Sequence, residues 1–223
     1  MKRSGPWLTL AAVAALGAVL LVVNMSKEAE PAAGSPTSAA NAASAVTPNT
    51  ETPPNTETPQ STTEAFPTQA DYVGTIPVST GAPITLAIAV EGDKAIAYAC
   101  DGDAVESWLR GAALGATLQL DGKSEARLDG RYDGTTVTGT LSLGGTQWDF
   151  TATPVDEPAG LYVYRSGGVR QSWIVDANGV VTGVQRGADG TRSPAPVLSP
   201  DATATVDGET VTARRVSGGD DAH

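Results

Sequence analysis

Histidine and cysteine are almost missing from this chain of 223 residues. The one histidine, His223, is the last residue, and chain ends are often frayed. We therefore predict no catalytic triad, no histidine general base and no histidine-ligated metal site. The one cysteine, Cys100, excludes an intramolecular disulfide, and we expect it to be a small buried apolar residue on a strand. No catalytic residue, metal or cofactor is assigned.

Basic residues are also scarce. The chain has 14 Lys and Arg against 25 Asp and Glu, so its formal net charge is −11 at pH 7. This balance disfavours nucleic acid and anionic lipid as partners because both carry negative charge. No glycine-rich loop leads from a strand into a helix, so nucleotide binding is not expected either.

Long apolar runs are limited to one, from Trp7 to Val23, directly after Lys2 and Arg3. A helix of that length rises about 26 Å, close to the thickness of a bilayer's hydrocarbon core. The sequence predicts a transmembrane helix over residues 7–24, retained as a signal anchor because no small-residue cleavage site follows it. The positive-inside rule places residues 1–6 in the cytoplasm and the remainder outside. The alternative is a secreted protein released by signal cleavage.

Residues 25–70 are mostly Ala, Pro, Thr, Ser, Asn and Glu, and Phe66 is their single aromatic residue. The hexapeptide PNTETP occurs there twice in tandem, beginning at Pro48 and at Pro54. Such a composition cannot bury enough apolar surface to offset its ordering entropy. We predict a disordered linker over 25–70 and a short disordered tail over 217–223.

Residues 71–216 have the composition of a folded domain, with aliphatic residues separated by repeated Asp-Gly pairs. These pairs tolerate the positive φ of tight hairpin turns. Apolar residues alternate with small or polar ones, as from Ile84 to Val90 and, after a turn at Gly92-Asp93, from Ile96 to Cys100. This pattern predicts half-buried strands. The fold class expected is all-β, an antiparallel barrel or sandwich of short strands.

One short helix is predicted within the domain. Asp103 can cap it, Glu106 completes the spacing of a capping box, and Gly111 can end it. Val105, Trp108 and Leu109 would share one face of this helix. We expect it to cover one end of the sheet.

Three carboxylates, Asp101, Asp103 and Glu106, cluster at the predicted junction between strand and helix. They are the candidate binding residues, because several carboxylate oxygens suit a hard cation and two carboxyl groups suffice for glycoside hydrolysis. Each also has an ordinary structural role: Asp101 in a turn, Asp103 as helix cap and Glu106 as its capping partner.

The run AIAYACDGDAVESWLRG, from Ala95 to Gly111, is followed by short Gly- and Thr-rich strands and preceded by an anchor and a Pro/Thr-rich spacer. In this layout and motif the chain resembles uncharacterised membrane-anchored exported β-domain proteins of high-GC Gram-positive bacteria. The resemblance implies an envelope location. It implies no activity, and no functional residue carries over.

These observations favour a single-pass, membrane-anchored extracytoplasmic protein with a non-enzymatic β-rich binding domain. Its expected partner is a cell-wall component or an envelope protein. One alternative is a carboxylate-dependent cell-wall glycan hydrolase or transferase that uses Asp101, Asp103 or Glu106. Another is an accessory sensor or inhibitor of a membrane partner. A barrel filled with its own side chains would leave only surface recognition.

Overall fold

The computed structural model describes residues 64–221. The predicted cytoplasmic stub, the transmembrane helix over 7–24 and most of the predicted linker lie outside these residues. Within 64–221 there is no helix long and apolar enough to cross a bilayer.

Eight antiparallel strands form a closed barrel in which each strand pairs with the next one along the chain. The eighth strand returns to pair with the first, Asp71 lying opposite Val155, and this contact closes the barrel. The strands are β1 (Gln69–Ile76), β2 (Ile84–Glu91), β3 (Lys94–Cys100), β4 (Glu106–Leu114), β5 (Thr117–Gly122), β6 (Arg127–Tyr132), β7 (Val137–Leu143) and β8 (Thr146–Val155). The predicted all-β class is confirmed, and of its two architectures this part of the chain adopts the barrel.

Side chains fill the interior of the barrel. Alternate residues of every strand point inward and form one buried cluster, with large members such as Tyr72, Leu118, Leu128, Leu141 and Phe150. The interior of an eight-stranded barrel is just wide enough to be filled in this way. A ligand therefore has to be recognised outside the barrel.

The predicted helix is wrong, because most of the residues assigned to it belong to β4. Leu109 and Ala113 point into the barrel, whereas Glu106 and Trp108 lie on its outer face. Pairing with β3 on one side and β5 on the other satisfies the backbone of β4, and these distant partners outweigh its helical pattern. Gly111 does not end a helix: a Cβ there would lie 2.0 Å from the Gln119 carbonyl oxygen, so glycine permits close approach of the two strands.

A second, five-stranded sheet covers part of the outside of the barrel. Its spatial order is β12-β11-β10-β9-β15, and a separate hairpin is formed by β13 and β14. Their bounds are β9 (Gly160–Ser166), β10 (Val169–Val175), β11 (Val181–Arg186), β12 (Arg192–Pro194), β13 (Thr203–Val206), β14 (Glu209–Thr212) and β15 (Arg214–Arg215).

The outer faces of β2 and β3 pack against this second sheet, with Ile96, Tyr98 and Cys100 in contact with its Val163 and Ile174. Both faces of these two strands are therefore buried. The prediction of half-buried strands is wrong for β2 and β3. The second sheet covers the small-residue face of β2 and the large apolar face of β3, while the alanine face of β3 points into the barrel. The prediction that Cys100 is a buried apolar residue on a strand is confirmed.

The ordered contacts extend past the predicted bounds of 71–216 at both ends. Phe66 stacks on Tyr132, with 4.9 Å between the ring centroids, and its backbone N–H donates to the carbonyl oxygen of Gly115. At the other end, Ser217 and Gly219 donate hydrogen bonds to the Glu91 carboxylate. Residues 64–70 and 217–221 thus belong to the folded unit.

Candidate functional site

Four arginines lie opposite one another across four neighbouring strands of the second sheet. Arg165 of β9 pairs with Arg170 of β10, Arg170 with Arg186 of β11, and Arg186 with Arg192 of β12. Residues directly opposite one another in antiparallel strands project from the same face of the sheet. Since strands lie about 4.8 Å apart, this arginine row is about 14 Å long.

The face that carries the arginine row is the one that faces the barrel. On the same strands, at two or four residues from the arginines, the same face carries the apolar residues Val163, Ile174 and Val184. These three side chains pack on the barrel. The row lies where that apolar contact ends, next to the hairpin turns. Like charges directly opposite one another in a sheet are destabilising. Arginines in register therefore require nearby anions to offset the repulsion between their charges.

One such anion is supplied by the barrel. The Glu106 side chain, only 1% exposed, projects from β4 towards the row. Its Oε1 accepts a hydrogen bond from Arg170 Nη2 at 2.8 Å, and its Oε2 lies 3.5 Å from Arg186 Nη1 and 3.6 Å from Arg192 Nε. A single carboxylate thus faces three guanidinium groups.

An aromatic contact helps to hold the most buried of these arginines. The Arg170 guanidinium lies 5.2 Å from the ring centroid of Trp108, a cation–π distance, and its side chain is 17% exposed. At the other end of the row, burial and then the neighbouring charges of Arg170 and Arg214 lower the pKa of Arg165. Arg186 and Arg192 are more accessible, at 41% and 40%.

Two surface cavities border the arginine row. The barrel-side cavity, of about 520 Å³, is lined by β4, by the β5–β6 turn including Lys123, and by Arg170, Arg186 and Arg192. The turn-side cavity, of about 700 Å³, is lined by the β9–β10 and β11–β12 turns and by Arg165, Arg170 and Arg186. Because both cavities include Arg170 and Arg186, together they follow the whole row.

Other charged groups stand at the rim of the barrel-side cavity. Arg110 donates a hydrogen bond to the Asp221 carboxylate at 2.6 Å. Asp121 lies 3.3 Å from Arg127. These acids are thus engaged with arginines of the barrel, while Lys123 adds a further cation to the same cavity.

The three carboxylates singled out from the sequence have three different environments. The Oδ1 of Asp101 accepts hydrogen bonds from the backbone N–H groups of Asp103, Ala104 and Val105, each at 2.9 Å, and so shapes the loop before β4. Asp103 is exposed, and Glu106 meets the arginines. The capping roles predicted for Asp103 and Glu106 are wrong, because the structure has no helix at these residues. Among the described residues, no three His, Cys, Asp or Glu side chains are grouped to hold a metal ion.

The arginine row itself was missed from the sequence. Its members follow or precede turn residues at irregular spacing, so no period in the sequence connects them. Only the register of the sheet places them opposite one another. The nearest signal was the pair of Gly-containing turns beside them, which predicts hairpins but not their register.

The fold and the site together define a class: an all-β protein with a filled barrel and an arginine-lined surface site. Comparison of the chain with protein-family models, with curated proteins and with solved structures finds no match.

Proposed function

We propose that this chain is a single-pass, membrane-anchored extracytoplasmic protein whose β domain is a non-enzymatic binding module. Its ligand is an anionic component of the cell envelope, bound at the arginine row. The observation that carries this proposal is the register that places four arginines opposite one another across four strands. Three of these arginines share a single carboxylate, that of Glu106.

The chemistry of the guanidinium group supports an anionic ligand. Its planar fork of N–H donors matches carboxylate and phosphate oxygens, and it is charged at any physiological pH. Glu106 already makes this contact from within the protein. With the barrel interior filled, the two cavities along the row are the concave surfaces that place several such forks together.

The glycan hydrolase alternative has less support. That chemistry needs two carboxyl groups on opposite sides of the scissile bond. Here the Asp101 carboxylate is engaged with the amides of its own loop, and the Glu106 carboxylate is in contact with guanidinium groups. Asp103 is exposed outside both cavities.

Calorimetric titration of the full chain, in an uncharged detergent, with inorganic pyrophosphate tests the proposal. We expect saturable binding that Arg186→Gln combined with Arg192→Gln weakens by about tenfold or more, since each charge-assisted hydrogen bond contributes about 1.5–3 kcal/mol. Both side chains are partly exposed, so the double variant should fold. The matched control is Arg131→Gln, an exposed arginine on the barrel that lines neither cavity.

An equal loss of pyrophosphate affinity in the control and in the double variant would contradict the proposal. The absence of saturable pyrophosphate binding by the unmodified chain would also contradict it. A second measurement uses Glu106→Gln. Because this change removes the carboxylate that competes for three arginines, pyrophosphate should bind more tightly. Weaker binding by a variant with an unchanged circular dichroism spectrum would count against a site at the row.

A further inference from the structure

The arginine row is longer than a small anion. The backbone positions of its four arginines span about 14 Å, and each of the two cavities is lined by only three of the four. The turn-side cavity includes Arg165 but not Arg192, and the barrel-side cavity includes Arg192 but not Arg165. A ligand that occupies both cavities has to be elongated.

We propose that the row binds a linear polyanion, a chain with anionic groups at intervals, laid across the strands from the Arg165 end to the Arg192 end. This inference rests on the proposed function and names the class of ligand. Successive anionic groups on one chain meet successive arginines, and each contact after the first is intramolecular, which raises the overall affinity without new kinds of contact.

The turn-side cavity leaves room for such a chain. Four glycines line it: Gly167, Gly168, Gly187 and Gly190. Gly167 and Gly168 have φ values of 59° and 82°, the two successive positive angles of a tight hairpin turn between strands β9 and β10. No side chain projects from these positions, so a polymer can pass over the turns and reach the arginines beyond them.

The acidic groups near the row have other partners. In the turn-side cavity the Asp189 carboxylate accepts hydrogen bonds from the backbone N–H and the hydroxyl group of Thr191. Beside the Arg165 end, Asp220 is paired with Arg214, and Asp221 with Arg110. Glu106, by contrast, contacts three arginines of the row directly. The net charge of −11 repels polyanions at long range, so recognition depends on contacts shorter than the Debye length of about 8 Å.

Arg165→Gln is the variant that separates a polymer from a small anion. We expect it to weaken binding of long-chain inorganic polyphosphate to the full chain about tenfold and to weaken binding of pyrophosphate by a much smaller factor, because the shorter ligand can occupy the other three arginines. The logarithm of the polyphosphate affinity should fall against the logarithm of the salt concentration with a slope of about −3, and Arg165→Gln should reduce that slope by about 0.7. Arg131→Gln is again the matched control.

Three polymers of equal charge distinguish the sources of the anionic group: polyphosphate, polygalacturonate and single-stranded DNA. Tighter binding of polyphosphate or polygalacturonate than of DNA, lost in Arg165→Gln, supports the inference and identifies phosphate or carboxylate as the group recognised. Equal binding of all three, weakened as much by Arg131→Gln as by Arg165→Gln, overturns it in favour of general charge attraction. If pyrophosphate binds as tightly as the polymers, only this inference fails, whereas if no anion binds, the proposed function fails with it.

Discussion

Cys100 lies in β3 at the contact between the barrel and the second sheet, and none of its surface is exposed. Burial raises the pKa of its thiol to about 12. Because the thiolate is the reactive form and the sulfur is inaccessible, the thiol is a packing group in the folded protein.

Labelling with N-ethylmaleimide at about pH 8 tests this environment. We expect no mass increase in the folded chain over a time in which the chain in guanidinium chloride is labelled completely. As Cys100 is the single cysteine, the mass increase reports unfolding directly. Rapid labelling under native conditions would show that the sheet does not stay closed over β3.

At the scale of single elements, the β6–β7 turn is held by one carboxylate. The Oδ1 of Asp133 accepts hydrogen bonds from the backbone N–H groups of Thr135 and Thr136, and its Oδ2 from the Thr136 hydroxyl. These hydrogen bonds lower the pKa of Asp133. The same Asp–Thr contact lowers the pKa of Asp189 and Asp201, before β12 and β13.

The sign of the resulting pH dependence follows from linkage. A carboxyl group whose pKa is lower in the folded state adds stability that is complete above its unfolded pKa, about 3.9, and is lost as the pH falls through the folded pKa. We expect the urea midpoint of the chain to fall between about pH 5 and pH 3. Asp133→Asn should make this fall shallower, whereas Asp103→Asn, a change at an exposed carboxylate elsewhere, should not. If the urea midpoint depended on pH in the same way for the unmodified chain, Asp133→Asn and Asp103→Asn, the turn held by Asp133 would not contribute to the pH dependence of stability.

The barrel strands approach one another closely at glycine. A Cβ on Gly139 of β7 would lie 2.0 Å from the Asp129 carbonyl oxygen and 2.7 Å from the Gly130 Cα, both backbone atoms of β6. The strands therefore have to separate to admit a methyl group. Gly139→Ala should lower the free energy of unfolding by about 1–3 kcal/mol, the usual cost of overpacking.

Thr138→Ala, at the exposed neighbouring position, is the control and should change stability by less than about 1 kcal/mol. Urea denaturation followed by tryptophan fluorescence measures both. Equal stability of Gly139→Ala and the unmodified chain would mean that the barrel deforms at no cost there.

At the scale of the whole molecule, the anchor predicted over residues 7–24 would place the β domain outside the cytoplasm. We expect the full chain to remain in the membrane pellet after an alkaline wash, and a variant without residues 7–24 to be released. A full chain that is released, and whose mass shows that its N-terminal segment is lost, would instead indicate a cleaved signal peptide.

The charge of the molecule and the charge of its site have opposite signs. An acidic chain disfavours polyanions as partners when it is treated as a uniform charge. The arginine row is a local concentration of positive charge that the net charge of the chain does not reveal. The sequence-based exclusion of nucleic acid therefore stays a prediction, and the three-polymer comparison tests it.

The sequence by itself determined the class of fold and the course of most strands. Alternation around Gly92 predicted β2 and β3, and alternation from Trp148 to Ala152 predicted part of β8, because period two and turn chemistry are local properties. Of the three carboxylates singled out from the sequence, Glu106 contacts the arginine row, but the sequence predicted neither these arginine partners nor the strand that carries Glu106.

Only the tertiary structure decided that the segment after Asp101 is a strand, that β2 and β3 are buried on both faces, and that four arginines share one row. Each of these depends on residues far apart in the chain: β4 is extended because β3 and β5 satisfy its backbone, and the row exists because three hairpin registers agree. Local patterns do not encode such registers, since a slip of one residue would turn the arginines to the opposite face.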